Sequence, residues 1–354
     1  MIINQWVPAA HRNDAIGDSV LRVRTLLRKR QHLSDIYAIQ IDKELQGDVK
    51  PFTDPESRRG DVTILHFAVP SPMSEAFTTL THKRVLQYHN VTPPHFFAPY
   101  HAEIFRIATL GRKELASLVG RVDMALGDSE YNRYELETLG FENTGVMPIV
   151  VDVDRLKREP RLPAMEHVLE DGLANILFVG RIVPNKCLED HIRLAEHYKR
   201  YVDTEYRFIF VGQTDAVPRY YAAVRQLTVA YGMPEERFLF PGQVSAAELV
   251  TYYRTAHAYV SLSDHEGFCV PLIEAMAADV PVLAYGAAAV PETLGGAGLC
   301  FTPKDLERAA ELLGILVYDD DVRTQVIKGQ RKRVKAFSPM AAAEQVDRLI
   351  DRLS

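Results

Sequence analysis

The sequence contains 354 residues, which is enough for two domains. Its 47% hydrophobic and 25% charged residues are typical of a globular protein and exclude disorder, collagen and a disulfide-stapled miniprotein. Lysine and arginine total 41 against 47 aspartates and glutamates, and the resulting net charge of −6 argues against a general nucleic-acid binder.

The three cysteines, Cys187, Cys269 and Cys300, are far apart and form no CxxC pair, so we expect neither a zinc site nor a disulfide framework. Such cysteines favour a reducing, cytoplasmic setting. The first residues lack a basic segment followed by an apolar core, and no run of 18 apolar residues occurs. The sequence therefore predicts neither a secretory signal nor a membrane span.

Short apolar strands alternate with amphipathic helices along the chain. The predicted strands cover residues 2–6, 62–67, 85–88, 122–126 and 145–149, followed by 176–179, 208–211, 238–240, 258–262 and 280–284. A helix over 19–30 is typical of the segments between them, because Val20, Val23 and Leu27 share one face. This alternation predicts an α/β fold with parallel sheets covered by helices on both faces.

A break between these two series of strands predicts two domains. Residues 151–172 contain two prolines and no clear periodicity, which predicts a linker. We expect one doubly wound domain over 1–160 and a second over 170–337, with a final helix, 338–354, that packs back on the first domain. The two domains would face a central cleft at the carboxyl ends of their sheets, where such folds bind ligands.

Residues 261–293, SLSDHEGFCVPLIEAMAADVPVLAYGAAAVPET, hold most of the functional information. A strand ends near Leu262, a polar turn follows, and a helix begins at Pro271, whose fixed φ suits the first helical position. The free N–H groups and the dipole at the start of that helix favour an anion. Glu266 precedes this position and Glu274 lies in the first turn of the helix.

This stretch, with its Glu-x7-Glu pattern, resembles the signature of the retaining GT-B glycosyltransferases of the large family four, which includes bacterial mannosyl- and glucosyltransferases and sucrose synthase. The resemblance implies two doubly wound, Rossmann-like domains in the GT-B architecture. It implies that Glu266 contacts hydroxyls of a donor sugar and that Glu274 holds ribose hydroxyls of its nucleotide. The further donor-binding positions that it implies are Gly267, Phe268, Cys269, Val270 and Leu272.

The stretch departs from the family pattern at two positions. Cys269 stands where glycine is usual, and the bulkier residue would narrow the sugar pocket. Asp279 stands where glycine usually ends the helix, although aspartate tolerates the left-handed conformation better than most residues. No ordered base is evident near Cys269, so we interpret it as a packing residue rather than a nucleophile. These departures bear on the donor sugar more than on the reaction class.

A second motif, FVGRIVPNK at 178–186, follows the first strand of the second domain. It lacks the GxxxxGK spacing of a P-loop and resembles the GR-x4-K segment of the same family. The resemblance implies that Arg181 and Lys186 grip the donor diphosphate, which gains negative charge as it leaves. The alternative is that both cations only cap a surface loop. Cys187 again replaces a usual glycine.

A third stretch, FPGQVSAAE at 240–248, predicts a tight turn and then a helix whose capping box joins Ser245 and Glu248. In the family this turn approaches the nucleotide base through its backbone, which implies contacts from Gly242 and Val244. Backbone contacts leave no side-chain signature, so the expected donor is a UDP-, GDP- or ADP-sugar.

Two positions of the first domain are expected at the ligand face. Residues 8–19 are predicted as a loop, where the family carries a glycine-containing segment beside the acceptor and the donor phosphates, and Gly17 is the glycine found there. His89 follows a predicted strand and resembles the family histidine whose side chain or adjacent backbone faces the reacting carbon. No such role is assigned to His66 or to the other nearby histidines.

Three further features have competing interpretations. Arg133 follows Ser129, an expected helix N-cap, and could reach the cleft or stay on the surface. Asp152 and Asp154 form a DxD triplet, but they lie in the linker and the family works without a metal, so we expect no metal and no cofactor. The basic helix 19–30 could sit peripherally on the inner face of a membrane, although a solvated face is the commoner role for such charges.

The sequence thus predicts a metal-independent glycosyltransferase that moves a hexose-type sugar from a nucleotide-diphosphate sugar to a glycan, lipid-linked or small-molecule acceptor, with retention of configuration. The predicted catalytic residues are His89, Arg181, Lys186 and Glu266, and closure of the two domains would assemble the site. The alternatives are a nucleotide-sugar epimerase, a phosphorylase, or a non-catalytic module that binds sugar nucleotides. An NAD dehydrogenase is disfavoured, because no G-x-G-x-x-G follows a strand.

Overall fold

The computed structural model describes residues 1–12 and 14–353 and divides them into two compact units. Unit 1 comprises the described residues of Met1–His95, Ala102–Asp152 and Phe337–Ser354. Unit 2 comprises Phe96–His101 and Val153–Ala336. The division therefore falls at the start of the segment that the sequence marks as a linker.

Unit 1 is built on a seven-stranded parallel sheet, counted over its described residues. Its strands are β1 (Ile3–Ala10), β2 (Ile36–Ile41), β3 (Lys50–Pro51), β4 (Val62–Phe67), β5 (Lys83–Tyr88), β6 (Met124–Gly127) and β7 (Thr144–Val146). They lie in the order β3-β2-β1-β4-β5-β6-β7. The order reverses between β1 and β4, as in a doubly wound fold.

The helices of unit 1 cover this sheet. They are α1 (Ala15–Lys29), α2 (Pro72–Thr78), α3 (Ala102–Ser117), α4 (Glu130–Leu139) and, at the far end of the chain, α14 (Pro339–Leu353). The buried face of α14 presents Val346 and Leu349 to a core that also contains Leu27 of α1 and Ile64 of β4. The last described helix of the chain is therefore part of the core of the first unit.

Unit 2 repeats the same architecture with a six-stranded parallel sheet in the order β10-β9-β8-β11-β12-β13. Its strands are β8 (Ala174–Val179), β9 (Tyr206–Val211), β10 (Phe238–Gly242), β11 (Ala258–Ser261), β12 (Val282–Tyr285) and β13 (Leu299–Phe301). Its helices are α5 (Arg155–Arg158), α6 (Pro163–Leu169), α7 (Leu188–Tyr201), α8 (Pro218–Ala230), α9 (Ala246–Thr255), α10 (Val270–Ala277), α11 (Val290–Leu294), α12 (Leu306–Tyr318) and α13 (Asp320–Val334). The predicted α/β class with two parallel, Rossmann-like sheets is confirmed.

One local prediction was wrong. Residues 8–19 are not one loop, because β1 continues to Ala10 and α1 already begins at Ala15, where the Asp14 side chain accepts the Gly17 N–H as an N-cap. The predicted linker 151–172 contains the short helices α5 and α6. Strands β2, β3 and β13 were not predicted.

Candidate active site

The loops that follow β8 and β11 carry most of the predicted donor-site residues. These two parallel strands are neighbours in the sheet, with Ile176 beside Ala258. The chain runs from β8 outward to β9 and β10 and then returns to β11, so the strand order reverses between β8 and β11. In doubly wound sheets, ligands bind outside the carboxyl ends of the strands at this point. The topology of unit 2 therefore brings residues 180–187 and 262–269 together.

Three polar contacts join these two loops. The Asn185 side-chain N–H donates to the His265 carbonyl at 3.0 Å, and the Asp264 N–H donates to the Asn185 carbonyl at 3.0 Å. The Lys186 Nζ lies 2.6 Å from the Glu266 Oε1. The Glu266 side chain is 8% exposed and that of Lys186 19%, so solvent screens this ion pair only weakly. The structure thus unites a predicted diphosphate contact with a predicted sugar contact.

Arg181 begins the same loop and differs from Lys186 in its surroundings. It is exposed, and no side chain or carbonyl of the described residues forms an ion pair or hydrogen bond with its guanidinium. The loop is held against β9 at Gly212, where an added Cβ would lie 2.0 Å from the Gly180 carbonyl oxygen and φ is +147°. This close approach requires glycine at 212 and sets the path of the backbone that leads into Arg181.

Helix α10 begins at Val270, one residue before its predicted start, and Pro271 lies in its first turn. Cys269 precedes the helix at φ 68°, ψ 66°, a left-handed conformation that costs a non-glycine residue about 1–2 kcal/mol. Burial raises the pKa of the Cys269 thiol well above its ordinary value, so the sulfur stays protonated. A buried neutral thiol agrees with the interpretation of Cys269 as a packing residue.

Glu274 is oriented by a residue that belongs to none of the sequence motifs. Its Oε2 accepts a hydrogen bond from the Tyr253 hydroxyl of α9 at 3.0 Å. Tyr253 is fully buried, and its burial, with the neighbouring carboxylate, raises its pKa well above the ordinary value. The phenol therefore stays neutral and donates to Glu274.

The turn after β10 has the geometry that the third motif predicts. Gly242 ends the strand at φ +75° and Val244 is half-buried. The capping box is confirmed, since the Ser245 hydroxyl accepts the Glu248 N–H at 3.3 Å and the Glu248 carboxylate accepts the Ser245 N–H at 2.8 Å. Gly242 and Val244 therefore lie in a turn that leads directly into α9, and the capping box of that helix fixes where the turn ends.

His89 lies directly after β5 in unit 1, and both of its ring nitrogens contact protein groups. Its Nδ1 is 2.9 Å from the Asp128 Oδ2, and its Nε2 is 2.8 Å from the His66 Nδ1. The side chain is only 2% exposed, although the residue as a whole is half-buried, so the accessible part of His89 is mainly its backbone. No role was predicted from the sequence for His66 or Asp128, whereas both contact His89.

Gly17 lies in the first turn of α1 rather than in an open loop. It is buried, and an added Cβ would come 2.3 Å from the His11 carbonyl oxygen. This packing gives Gly17 a structural reason to be glycine, and its predicted donor contact stays a prediction.

Arg133 pairs with carboxylates of its own helix, at Glu130 and Glu137. These contacts favour the surface alternative for Arg133. The N-cap prediction beside it is confirmed, because the Ser129 hydroxyl accepts the Asn132 N–H at 3.2 Å.

Comparison with known proteins identifies the class. Residues 165–333, within unit 2, match the family described as Glycosyl transferases group 1. The chain is a GT-B glycosyltransferase. Over 344 residues it is 22% identical to O-antigen chain mannosyltransferase B of Escherichia coli, covering 95% of this chain and 84% of that one. It is 25% identical over 305 residues to the phosphatidyl-myo-inositol mannosyltransferase of Mycobacterium leprae, covering 83% and 75%.

The GT-B fold is also that of a solved structure, the Anabaena protein Alr3699/HepE in complex with UDP and glucose. The two chains superpose with a TM-score of 0.77 at 15% identity, covering 99% of this glycosyltransferase and all of the other chain. At this identity the likeness shows the fold, and donor and acceptor have to be argued from the residues.

The basic helix of this glycosyltransferase is largely neutralised within unit 1. Four of its five cations pair with carboxylates, Arg22 with Asp18, Arg24 with Asp48, Arg28 with Asp35 and Arg30 with Asp347. Such pairing leaves less positive charge for an anionic surface than the sequence alone indicates. Over the described residues, no helix combines the length and the apolar character needed to cross a membrane.

Asp154 of the DxD triplet forms an ion pair with a lysine of the following turn. Asp154 pairs with Lys157 at 3.0 Å on the surface. Within residues 1–12 and 14–353, no three histidine, cysteine, aspartate or glutamate side chains are grouped so that they could hold a metal ion.

Proposed function

We propose that this glycosyltransferase moves a hexose-type sugar from a nucleotide-diphosphate sugar to a glycan, lipid-linked or small-molecule acceptor, with retention of configuration and without a metal. The observation that carries the proposal is the 2.6 Å contact between Lys186 and Glu266 at the strand-order reversal of unit 2. It places a cation suited to phosphate next to a carboxylate suited to sugar hydroxyls.

The roles follow from the surroundings of each residue. Arg181 is exposed and free of other partners among the described residues, so it can meet a diphosphate without breaking an existing ion pair. Lys186 adds a second cation, and the two replace a metal in neutralising the leaving group. Glu274, held by Tyr253, accepts from ribose hydroxyls. Glu266, with the amides at Gly267, Phe268 and Cys269, faces the sugar.

His89 acts through its backbone in this proposal, because its ring nitrogens are occupied by His66 and Asp128. Since no carboxylate is assigned as a covalent nucleophile, the sugar is transferred on one face and the departing phosphate takes the acceptor proton. The donor in this proposal is a UDP-, GDP- or ADP-sugar. The base would contact backbone groups at Gly242 and Val244, and the sequence does not show which base these groups select.

The donor site is tested by thermal shift with UDP, GDP, ADP and their sugar conjugates, each with EDTA and with magnesium. A ligand at 100 times its Kd stabilises the folded protein by about 2.7 kcal/mol. One nucleotide should raise Tm in EDTA as well as in magnesium, and Arg181→Ala should abolish the shift. Arg308→Ala, which removes an exposed arginine on α12 of the same unit, should leave it unchanged.

Tyr253→Phe gives a finer test of the same site. The variant keeps the buried ring and removes the hydroxyl that donates to the Glu274 carboxylate. Because that bond orients Glu274 in this proposal, the Kd for the nucleotide should rise, by up to about tenfold if the whole of a bond worth about 1.5 kcal/mol is lost from binding. An unchanged Kd would show that Tyr253 does not orient Glu274 for the ribose. No shift with any nucleotide would contradict the proposal as a whole.

Turnover distinguishes the proposed reaction from its rivals. A retaining transferase gives product with the anomeric configuration of the donor, observable by NMR. Conversion of donor without acceptor would indicate an epimerase, a requirement for free phosphate would indicate a phosphorylase, and donor binding with no turnover would indicate a binding module.

A further inference from the structure

A chain of buried polar side chains crosses the sheet of unit 1 and has His89 at its centre. It connects four neighbouring strands or strand ends and consists of Gln5 on β1, His66 on β4, His89 and Gln87 at the end of β5, and Asp128 after β6. Their side chains lie in the core: Gln5 is 0%, Asp128 1%, and His66 and Gln87 3% exposed. Because these groups meet almost no solvent, their hydrogen bonds are made to one another and to nearby backbone carbonyls, and among the described residues only the Gln87 Oε1 of the chain is left without a partner.

The Gln5 end of the chain determines which nitrogen of His66 carries a proton. The Gln5 Nε2 donates to the Val20 carbonyl at 3.1 Å, so the Gln5 Oε1 must be the atom 3.1 Å from the His66 Nε2. An amide oxygen only accepts, and the His66 Nε2 is therefore protonated. Burial lowers the pKa of His66 well below its ordinary value, so the ring is neutral and its Nδ1 holds a lone pair.

That lone pair determines whether the Nε2 of His89 carries a proton. The His66 Nδ1 and the His89 Nε2 are 2.8 Å apart, and the two rings are nearly coplanar, with an interplanar angle of 8° and centroids 5.1 Å apart. This is the geometry of an in-plane N–H···N bond rather than of face-to-face stacking. Since His66 accepts, the His89 Nε2 must donate.

The Asp128 end of the chain determines whether the Nδ1 of His89 carries a proton. The Gln87 Nε2 donates to the Met147 carbonyl at 2.9 Å and to the Asp128 Oδ1 at 2.8 Å, which satisfies that oxygen as an acceptor. The Asp128 Oδ2 lies 2.9 Å from the His89 Nδ1. A proton must lie between them, and with that proton on the imidazole the Asp128 carboxylate accepts a hydrogen bond at each of its two oxygens. Both nitrogens of His89 are thus protonated.

We propose that His66 and Asp128 are positioning residues that hold His89 as a buried imidazolium with both N–H groups committed to protein acceptors. Among the described residues, His66 and Asp128 are the ionisable groups hydrogen-bonded to the His89 ring, and the neutral amides Gln5 and Gln87 lie at the two ends of the chain. The His89 ring then has no lone pair with which to take a proton from an acceptor. The proposed charge state is argued from the hydrogen bonds, whereas its effect on turnover rests on the proposed function.

The charge state is measured on the whole protein by two-dimensional NMR of the imidazole nitrogens after 15N labelling. The chain contains twelve histidines, and the His89 signals are those that disappear in His89→Gln. At pH 8 both nitrogens of wild-type His89 should have the shifts of protonated nitrogen, and those of His66 should show the neutral tautomer with the proton on Nε2. A neutral His89 at pH 8 in the wild-type protein would overturn the proposal, with no variant needed.

Variants of Asp128 and His66 then test whether these two residues accept the two N–H groups of His89. Asp128→Asn removes the carboxylate, so one nitrogen of His89 should lose its proton at pH 8. His66→Asn keeps an acceptor oxygen near the position of Nδ1 and should retain the doubly protonated His89, whereas His66→Leu should not. Retention of the imidazolium in Asp128→Asn would remove Asp128 from the positioning role.

The kinetic arm compares kcat with KM for the donor across pH 6–8.5. Wild type and His66→Asn should share one pH profile of kcat, and Asp128→Asn should add a new pH dependence to kcat with little change in KM. If the protein transferred no sugar at all, the proposed function would fail while the NMR result still decided the charge of His89.

Discussion

His191 lies fully buried at the end of the first turn of α7, just after the loop that carries Arg181 and Lys186. Its Nδ1 is 3.1 Å from the Cys187 carbonyl and its Nε2 is 3.4 Å from the Val260 carbonyl. Despite these two acceptors, burial lowers the pKa of His191 to about 4 from an ordinary value of 6.5. The folded protein therefore holds the neutral ring.

This lowered pKa makes the stability of unit 2 depend on pH in a defined direction. As pH falls below 6.5 the unfolded chain binds a proton at His191 before the folded chain does, so stability is complete above pH 6.5 and is lost on the way to pH 4. The full difference corresponds to about 3 kcal/mol, and the part lost between pH 7.5 and pH 5 is about 2 kcal/mol.

The assay uses the position of the single tryptophan. Trp6 lies buried in unit 1, so its fluorescence follows the unfolding of unit 1, whereas far-ultraviolet circular dichroism follows both units. In urea titrations at pH 7.5 and pH 5, His191→Phe and His191→Leu should remove about 2 kcal/mol of pH dependence from the dichroism transition. They should leave the Trp6 transition unchanged. Replacement of the exposed His167 on α6 is the control.

The wild type and both His191 variants would share the same pH dependence if the neutral buried ring did not contribute. That result would refute the reasoning, whatever the variants do to stability at pH 7.5. The aromatic partners of the ring at 5.0 Å and 5.8 Å, Phe178 and Phe210, bear on the absolute stability of the two variants but not on its slope with pH.

Two further predictions concern unit 1, and both are measured by urea unfolding followed through Trp6 fluorescence. Gly17→Ala should destabilise unit 1 by about 1–3 kcal/mol, because the new Cβ would meet a backbone carbonyl at 2.3 Å, while Gly47→Ala, with no atom within 4 Å, should be neutral or slightly stabilising. An equal effect of the two would contradict the steric argument. Leu349→Ala should cost about 2–5 kcal/mol because α14 buries this side chain, and Met340→Ala, 72% exposed on the same helix, should change stability by less than about 0.5 kcal/mol. A small effect at Leu349 would mean that α14 can leave unit 1 at little cost.

The parts of the fold that could be predicted are those in which sequence and burial agree. Strands such as β4 and β9 are mostly apolar and are buried over their whole length. Strand β2 was missed because only its first three residues are buried, and β13 because it is three residues long. The start of α1 was missed although Asp14 offered an N-cap signal.

The residues of the candidate site likewise include some that the sequence predicts and some that only the fold shows. Lys186 and Glu266 belong to local motifs, and the adjacency of β8 and β11 brings them into contact. Tyr253 lies 21 residues before Glu274 and belongs to no motif, so its hydrogen bond is visible only in the fold. The pair of His66 and His89 had a signal, because both lie at the ends of neighbouring predicted strands, and neighbouring parallel strands end at the same edge of a sheet.

The placement of α14 has a consequence for how the protein is made. The N-terminus of a growing chain leaves the ribosome first, and domains generally fold as they emerge. The core of unit 1, however, includes Val346 and Leu349, which emerge only after all of unit 2. Unit 2 can therefore complete its core first, while the earlier part of unit 1 waits with an uncovered apolar face. Expression of residues 1–152 alone would leave that face open to chaperones and to aggregation.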